Sequence, residues 1–232
     1  MKHAFKLKSL ALSMAIAGSS VAVLAPATAQ AELTGNIGLV SQYIFRGAPQ
    51  SGGIAAQAGL DYEHESGFYV GLWASDVDDK AAGTNELEYD IYAGYETEVS
   101  GVTLGAGFTL YRYTKDVFDD DYNELNLWAG FGGFGLTFDT GVNKSGGDDI
   151  SYNVITASYE MGGAYALYGA GTDFLGKGTD HTWIELGYST EIAPGTDLSF
   201  ALIESSKEAN AGPKGNGNTS MVVGITKSFD LM

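Results

Sequence analysis

One pattern constrains this chain more than any other: apolar and polar side chains alternate with a period of two through twelve segments, and the joins between them are alternately short and long. Successive side chains of a β-strand point to opposite faces, so this alternation marks strands with one apolar and one polar face. From Leu33, one parity holds Leu33, Gly35, Ile37, Leu39, Tyr43 and Phe45, while the other holds Thr34, Asn36, Gly38, Gln42 and Arg46. Ala56, Ala58, Leu60 and Tyr62 oppose Gln57, Gly59, Asp61 and Glu63 in the same way. Leu87, Tyr89, Ile91, Ala93 and Tyr95 oppose Glu88, Asp90, Tyr92, Gly94 and Glu96, and Leu125, Leu127, Ala129 and Phe131 oppose Glu124, Asn126, Trp128 and Gly130. Further strands are expected over 68–75, 102–112, 134–142, 152–160, 164–172, 181–190, 197–204 and 220–229, with the facing of 164–172 left open by its run of Ala, Gly and Tyr.

The joins sharpen the reading. Ser66-Gly67, Ser100-Gly101, Gly132-Gly133, Gly162-Gly163 and Ala193-Pro194-Gly195 carry tight-turn chemistry. The intervening joins, 47–54, 76–86, 113–121, 143–151, 173–180 and 205–219, are longer and polar. Short periplasmic turns alternating with longer extracellular loops are the mark of an outer-membrane barrel, and an even strand number places both termini on the periplasmic side. Tyr62, Phe68, Tyr95, Phe131, Phe134, Tyr159, Tyr188 and Phe229 each fall at the short-turn end of a strand on the apolar parity. Aromatic rings at one level form an interfacial girdle, which the core of a soluble sandwich has no reason to collect.

The first residues read as an address. Lys2, Lys6 and Lys8 precede an apolar stretch from Leu10 to Leu24, and Ala29-Gln30-Ala31 is an A-x-A cleavage site. This is the pattern of a secretory signal peptide, expected to span residues 1–31 and to leave one barrel domain over 32–232. Beyond it, no stretch approaches 18 consecutive apolar residues, so no transmembrane helix is expected. Removing three of the 12 basic residues leaves 9 against 29 acidic ones, a charge of −20. Nucleic-acid affinity depends on Lys and Arg neutralising phosphates, so nucleic acid is excluded as a partner. With no Cys, disulfides, thiolate metal sites and cysteine nucleophiles are excluded as well. The 33 Gly are compatible with a tightly curved wall, where strand glycines such as Gly35, Gly59, Gly71, Gly94, Gly105, Gly107, Gly141 and Gly187 relieve crowding.

In a barrel the polar parity faces the lumen. It collects Asp61, Glu63, Glu88, Asp90, Glu96, Glu124, Asp139, Glu160 and Glu185, with Arg46 as the clearest basic group. Acidic rings concentrate cations and repel anions, so these ten residues are candidate pore-lining groups of a mildly cation-preferring path for small hydrophilic solutes. The alternatives are solvated wall residues, or paired ones filling a closed lumen. Arg46, at the outer end of the first strand, could bond acidic neighbours across the lumen or contact an anionic solute.

Other chemistries find less support. Asp76, Asp78 and Asp79, and Asp116, Asp119, Asp120 and Asp121, offer oxygen ligands in two loops, but neither has EF-hand spacing, and no metal or other cofactor is expected. A phospholipase-like His/Ser pair fails on distance. His64 sits in a short turn, and His181 lies eight residues from Ser189 on one strand, about 26 Å at strand rise. No nucleotide-binding spacing occurs in the Gly-rich stretches, and no enzyme is expected. The loop Ser205 to Thr219 is flexible in composition and lacks aromatic anchors, which argues against adhesion. A lumen closed by Trp73, Trp128, Trp183 and Tyr92 would mark a structural barrel instead of a channel.

The segment Ser41-Gln42-Tyr43-Ile44-Phe45-Arg46-Gly47, then Gln50-Ser51, Gly59-Leu60-Asp61-Tyr62 and Gly67-Phe68-Tyr69-Val70-Gly71-Leu72-Trp73-Ala74-Ser75, resembles the opening signature of the TorF family of porin-like proteins, also catalogued as gcw_chp. Glu86-Leu87-Glu88-Tyr89-Asp90 and a terminal Lys227-Ser228-Phe229 extend the resemblance loosely along the chain. It implies an outer-membrane barrel with a porin-like role. The expectation is therefore an all-β chain: a transmembrane antiparallel up-and-down β-barrel of about 12 strands behind a cleavable signal peptide. Its partners would be outer-membrane lipid, lipopolysaccharide and small solutes or ions, and a monomer is expected because every strand has an ordinary lipid face.

Overall fold

In the computed structural model the described residues are 31–79, 84–114, 120–145, 149–209 and 218–232. Twelve strands pair antiparallel in sequence order and close on themselves: β1 (Glu32–Val40), β4 (Ala55–Glu63), β5 (Phe68–Asp79), β6 (Thr84–Val99), β7 (Val102–Tyr113), β8 (Asp120–Phe131), β9 (Phe134–Ser145), β10 (Ile150–Met161), β11 (Ala164–Thr172), β12 (His181–Ala193), β13 (Thr196–Ser205) and β14 (Asn218–Asp230). Pairing of β1 with both β4 and β14 closes the barrel, so every strand of its wall has a neighbour on both sides. Both ends of the barrel chain lie at the short-turn end, where Glu32 pairs with Glu63 and Thr34 with Asp230. The expected signal peptide falls almost wholly outside the described residues.

Turn chemistry fixes the register at that end. Ser100 and Gly101 have φ of 56° and 81°, Gly132 and Gly133 of 57° and 90°, and Gly162 and Gly163 of 62° and 84°. Positive φ at both central residues is the type I′ geometry whose twist matches that of the flanking strands. Each two-residue turn thereby sets which parity of the next strand faces out. The outward parity is apolar all round, with Ile37, Leu72, Ile91, Phe108, Leu127, Phe138, Ile155, Ile184, Leu202 and Ile225 exposed. On β11 the facing is now clear, with Tyr165, Leu167, Gly169 and Gly171 inward and Tyr168 outward. The girdle holds: Phe68, Tyr95, Phe131, Phe134, Tyr159, Tyr188 and Phe229 are exposed at the short-turn end, and Phe68 packs at a tilt against Tyr95, as does Phe134 against Tyr159, across strands. Tyr62 is half-buried at the same level.

The first strand departs from its expected course. It ends at Val40, and residues 41–54 leave the wall and fold into the lumen around a small hairpin, β2 (Ile44–Phe45) and β3 (Ala48–Pro49). Tyr43 and Phe45, expected to face lipid, are 1% and 5% exposed inside the barrel, and Arg46 sits at the tip of the hairpin instead of the end of a wall strand. Alternation continued through Arg46 in the sequence, but Ser41 N bonds to Val223 O and Asp78 N to Gln50 O, and those long-range contacts redirect the chain.

The acidic loops are corrected too. β5 runs through Asp79, so Asp76 and Asp78 lie on a strand, where Asp76 accepts from Ala56 N of β4 and Asp78 accepts from Gly52 N and braces the inserted segment. Asp121, also on a strand, pairs with Arg112 at 3.3 Å. Asp116 and Asp119 lie outside the described residues.

Candidate functional site

All ten residues expected on the pore wall lie on inward parities or, for Arg46, within the lumen, but the structure sorts them into two settings. Arg46, Glu88, Asp90, Glu124, Asp139 and Glu185 are at most 5% exposed. Asp61, Glu63, Glu96 and Glu160 are only partly buried and lie toward the short-turn end.

The packed setting is built around the inserted hairpin. Arg46 Nη1 and Nη2 donate to Glu124 Oε2 and Oε1 at 2.6 and 2.9 Å, and Nη2 also donates to Asp139 Oδ2 at 2.8 Å. This fork geometry joins β8 and β9 through one side chain. The guanidinium lies 4.8 Å from the Phe45 ring and 5.0 Å from that of Phe174, adding cation–π attraction in a buried site. Tyr111 and Tyr152 hydroxyls donate to Glu124 at 3.0 and 2.8 Å, and Asn126 Nδ2 bridges Glu124 and Asp139 at 2.7 and 2.9 Å. Glu124 is therefore bonded on both oxygens.

The backbone of the tip is held as firmly. His181 Nε2 hydrogen-bonds to Arg46 O at 3.0 Å, and Ser205 Oγ donates to Gly47 O at 2.6 Å. Arg46 has φ of 50° and Gly47 of 79°, and a Cβ on Gly47 would run into Trp183 and Ser205. Glycine is required there, and Arg46 tolerates a left-handed backbone because the wall contacts over-determine it. Tyr43, Phe45, Tyr111, Tyr152, Phe174 and Trp183 form one buried apolar cluster around the tip. Trp183, one of the four rings expected in a shut lumen, belongs to it. Trp73 packs on Tyr43 at 5.4 Å, whereas Trp128 and Tyr92 lie nearer the short-turn end.

A second arrangement repeats around the wall. In seven directly opposed cross-strand pairs an inward ring lies over an inward glycine: Tyr92 on Gly71, Tyr69 on Gly94, Trp128 on Gly105, Tyr152 on Gly141, Trp183 on Gly169, His181 on Gly171 and Tyr165 on Gly187. In each, a Cβ on the glycine would collide with the ring above it. These glycines are seats for aromatic rings, which is a more specific role than easing curvature. Four seated rings then pass their polar hydrogen to a carboxylate: Tyr92 to Asp61, Trp128 Nε1 to Glu96 at 2.7 Å, Tyr165 to Glu185 and Tyr152 to Glu124. Sequence alternation found the carboxylates but not these partners, because the pairing depends on cross-strand register.

Tyr43, Phe174, His181 and Ser205 are the functional residues that alternation missed. Phe174, beside Leu175 in an otherwise polar, Gly-rich join, was the one visible signal. His181 and Ser189 do lie on a single strand, β12, as the distance argument required. His64 instead bonds Ser66 Oγ at 2.7 Å and closes the exposed turn between β4 and β5. Among the described residues, no group of three or more His, Asp or Glu side chains is arranged to hold a metal ion.

A closed twelve-stranded barrel with an apolar outer face, an aromatic girdle and an ionisable inner wall defines the architecture of an outer-membrane β-barrel. The chain belongs to the family described as "Bacterial protein of unknown function (Gcw_chp)", whose model matches residues 24–229. Among solved structures it is similar to the KdgM porin, at 10% identity over 84% of this chain and 99% of that one with a TM-score of 0.55. It is likewise similar to the KdgM porin in complex with disordered oligogalacturonate, at 10% identity over 85% and 99% with a TM-score of 0.53. The COG4313 outer membrane channel from Pseudomonas putida F1 matches at 11% identity over 88% and 97% with a TM-score of 0.51. At these identities the likeness is one of fold. No curated protein matches the chain in sequence.

Proposed function

We propose that the protein is a porin-like channel of the Gram-negative outer membrane that passes small hydrophilic solutes by diffusion, prefers cations, and is constricted by its own segment 41–54. The leader 1–31 would direct export, both termini would face the periplasm, and the barrel would act as a monomer in outer-membrane lipid and lipopolysaccharide. The observation that carries the reading is the placement of ionisable side chains: Asp61, Glu63, Glu88, Asp90, Glu96, Glu124, Asp139, Glu160 and Glu185 all lie on inward parities, while the outward parity is apolar. Carboxylates on an inner wall attract cations and raise their local concentration. For the same reason the oligogalacturonate in one similar structure, a polyanion, is not carried over to this lumen.

Recording across a planar bilayer under a KCl gradient tests the proposal: a reversal potential of cation-selective sign is expected, and absent or anion-selective conductance would overturn it. A second reading, a structural barrel with a shut lumen, is favoured by one observation, the burial of Tyr43, Phe45, Tyr152 and Trp183 around Arg46. The same recording separates the two, because a shut barrel gives no conductance at any voltage.

A further inference from the structure

Arg46 reaches its site as a ligand would. It is carried on an inserted segment and not on the wall, its backbone is held at φ 50°, and it makes three charge-assisted bonds to two wall carboxylates between two aromatic rings. A free guanidinium or ammonium solute would use the same contacts: carboxylate acceptors and ring faces.

Two further features show spare capacity for such a group. Beside the Arg46 site, Glu88 and Asp90 are 1% and 3% exposed; Glu88 accepts from Tyr43 at 3.2 Å, whereas Asp90 Oδ1 has no hydrogen-bond partner among the described residues. Buried carboxylate oxygens without a donor are costly, and a cation placed among them relieves that cost. Glu88, Asp90, Glu124 and Asp139 are thus four acidic groups set against one guanidinium, that of Arg46, among the described residues. Toward the short-turn end the ring-and-carboxylate unit recurs as Tyr92 with Asp61 and Trp128 with Glu96, and in the buried part of the wall as Tyr165 with Glu185; none of these three carboxylates is in an ion pair among the described residues. Hydrated metal ions prefer all-oxygen shells, so ring-flanked carboxylates suit organic cations better.

We propose that the lumen recognises small organic cations bearing a guanidinium or primary ammonium group, at a site on Glu88, Asp90, Glu124 and Asp139, the last two of which Arg46 itself holds when no solute is bound. The inference rests on the channel reading and names its solute class. A solute approaching from the short-turn end meets the ring-and-carboxylate units of Asp61 and Glu96 first and then competes with Arg46, and its binding favours release of the inserted segment.

Titration calorimetry of the purified full-length barrel in detergent with agmatine, sorbitol and glutarate tests this. Saturable binding is expected for agmatine and not for the other two, and Asp90→Asn weakens it on the order of tenfold, the loss of one charge-assisted hydrogen bond. In Arg46→Ala, millimolar agmatine raises the unfolding temperature while sodium at equal ionic strength does not. If that variant does not fold, the wild type and Asp90→Asn carry the test. Absence of agmatine binding, equal binding of sorbitol or glutarate, or unchanged affinity in Asp90→Asn overturns the inference. Conductance measured on the same preparation separates it from the channel reading: conductance without agmatine binding removes this site and leaves the channel, whereas agmatine binding without conductance removes the channel and leaves the site.

Discussion

The two halves of the lumen share one wall and one parity rule but are built to different ends. Toward the long loops, Glu88, Glu124 and Asp139 are 0–2% exposed and are packed among Tyr43, Phe45, Tyr111, Tyr152 and Trp183. Toward the short turns, Asp61, Glu63, Glu96 and Glu160 keep contact with solvent, and the seated rings of Tyr69, Tyr92 and Trp128 lie against the wall. The difference comes from fourteen residues, 41–54, that enter only one half. A barrel of fixed strand number thus narrows in one half without changing its wall, and inward carboxylates are packed in that half and keep contact with solvent in the other.

That contrast can be broken at defined points. Arg46→Ala strips the cation from Glu124 and Asp139, and removing one member of a buried pair costs about 3–5 kcal/mol; thermal unfolding of the refolded barrel measures it. If stability holds, the tip is not what anchors the packed half. Gly105→Val pushes into the Trp128 ring and costs about 1–3 kcal/mol by overpacking, while Gly130→Ala, whose nearest neighbouring atom is 3.5 Å away, changes stability little. Equal effects at the two positions would contradict the seating of rings on glycines. Phe131→Ala removes one girdle ring that is 64% exposed to the lipid side, and a loss within about 1 kcal/mol is expected from the same unfolding assay. Smallest in stability is Glu63→Gln with Glu160→Gln, expected to stay within about 0.5 kcal/mol while shifting the reversal potential toward lower cation preference. An unchanged potential would show that the open half does not select.

Much of this architecture was legible in the sequence because its causes are local. Period-two alternation fixes facing, Ser100-Gly101 and its fellow turns fix register, and the exposed rings of Phe68 to Phe229 follow from both. The inserted segment was not legible: Tyr43 and Phe45 continue the outward parity of β1, and what turns the chain inward is a set of bonds to Val223, Asp78, His181 and Ser205, distant in sequence. Gly47, with its left-handed backbone inside the family-like Phe-Arg-Gly, was the available hint. The nine candidate carboxylates lie on the inward parities that alternation gave them, but parity says nothing of depth, so it could not divide Glu124 from Glu63. The glycine seats were hidden for a related reason, since Gly105 and Trp128 become partners only once β7 and β8 are in register.

The account stands most directly on single-channel recording of the wild type and Arg46→Ala side by side. If segment 41–54 is the constriction of a cation-preferring channel, the wild type shows small cation-selective conductance and the variant shows a severalfold larger one of the same sign. Identical conductance in the two proteins, or none in either, would contradict it.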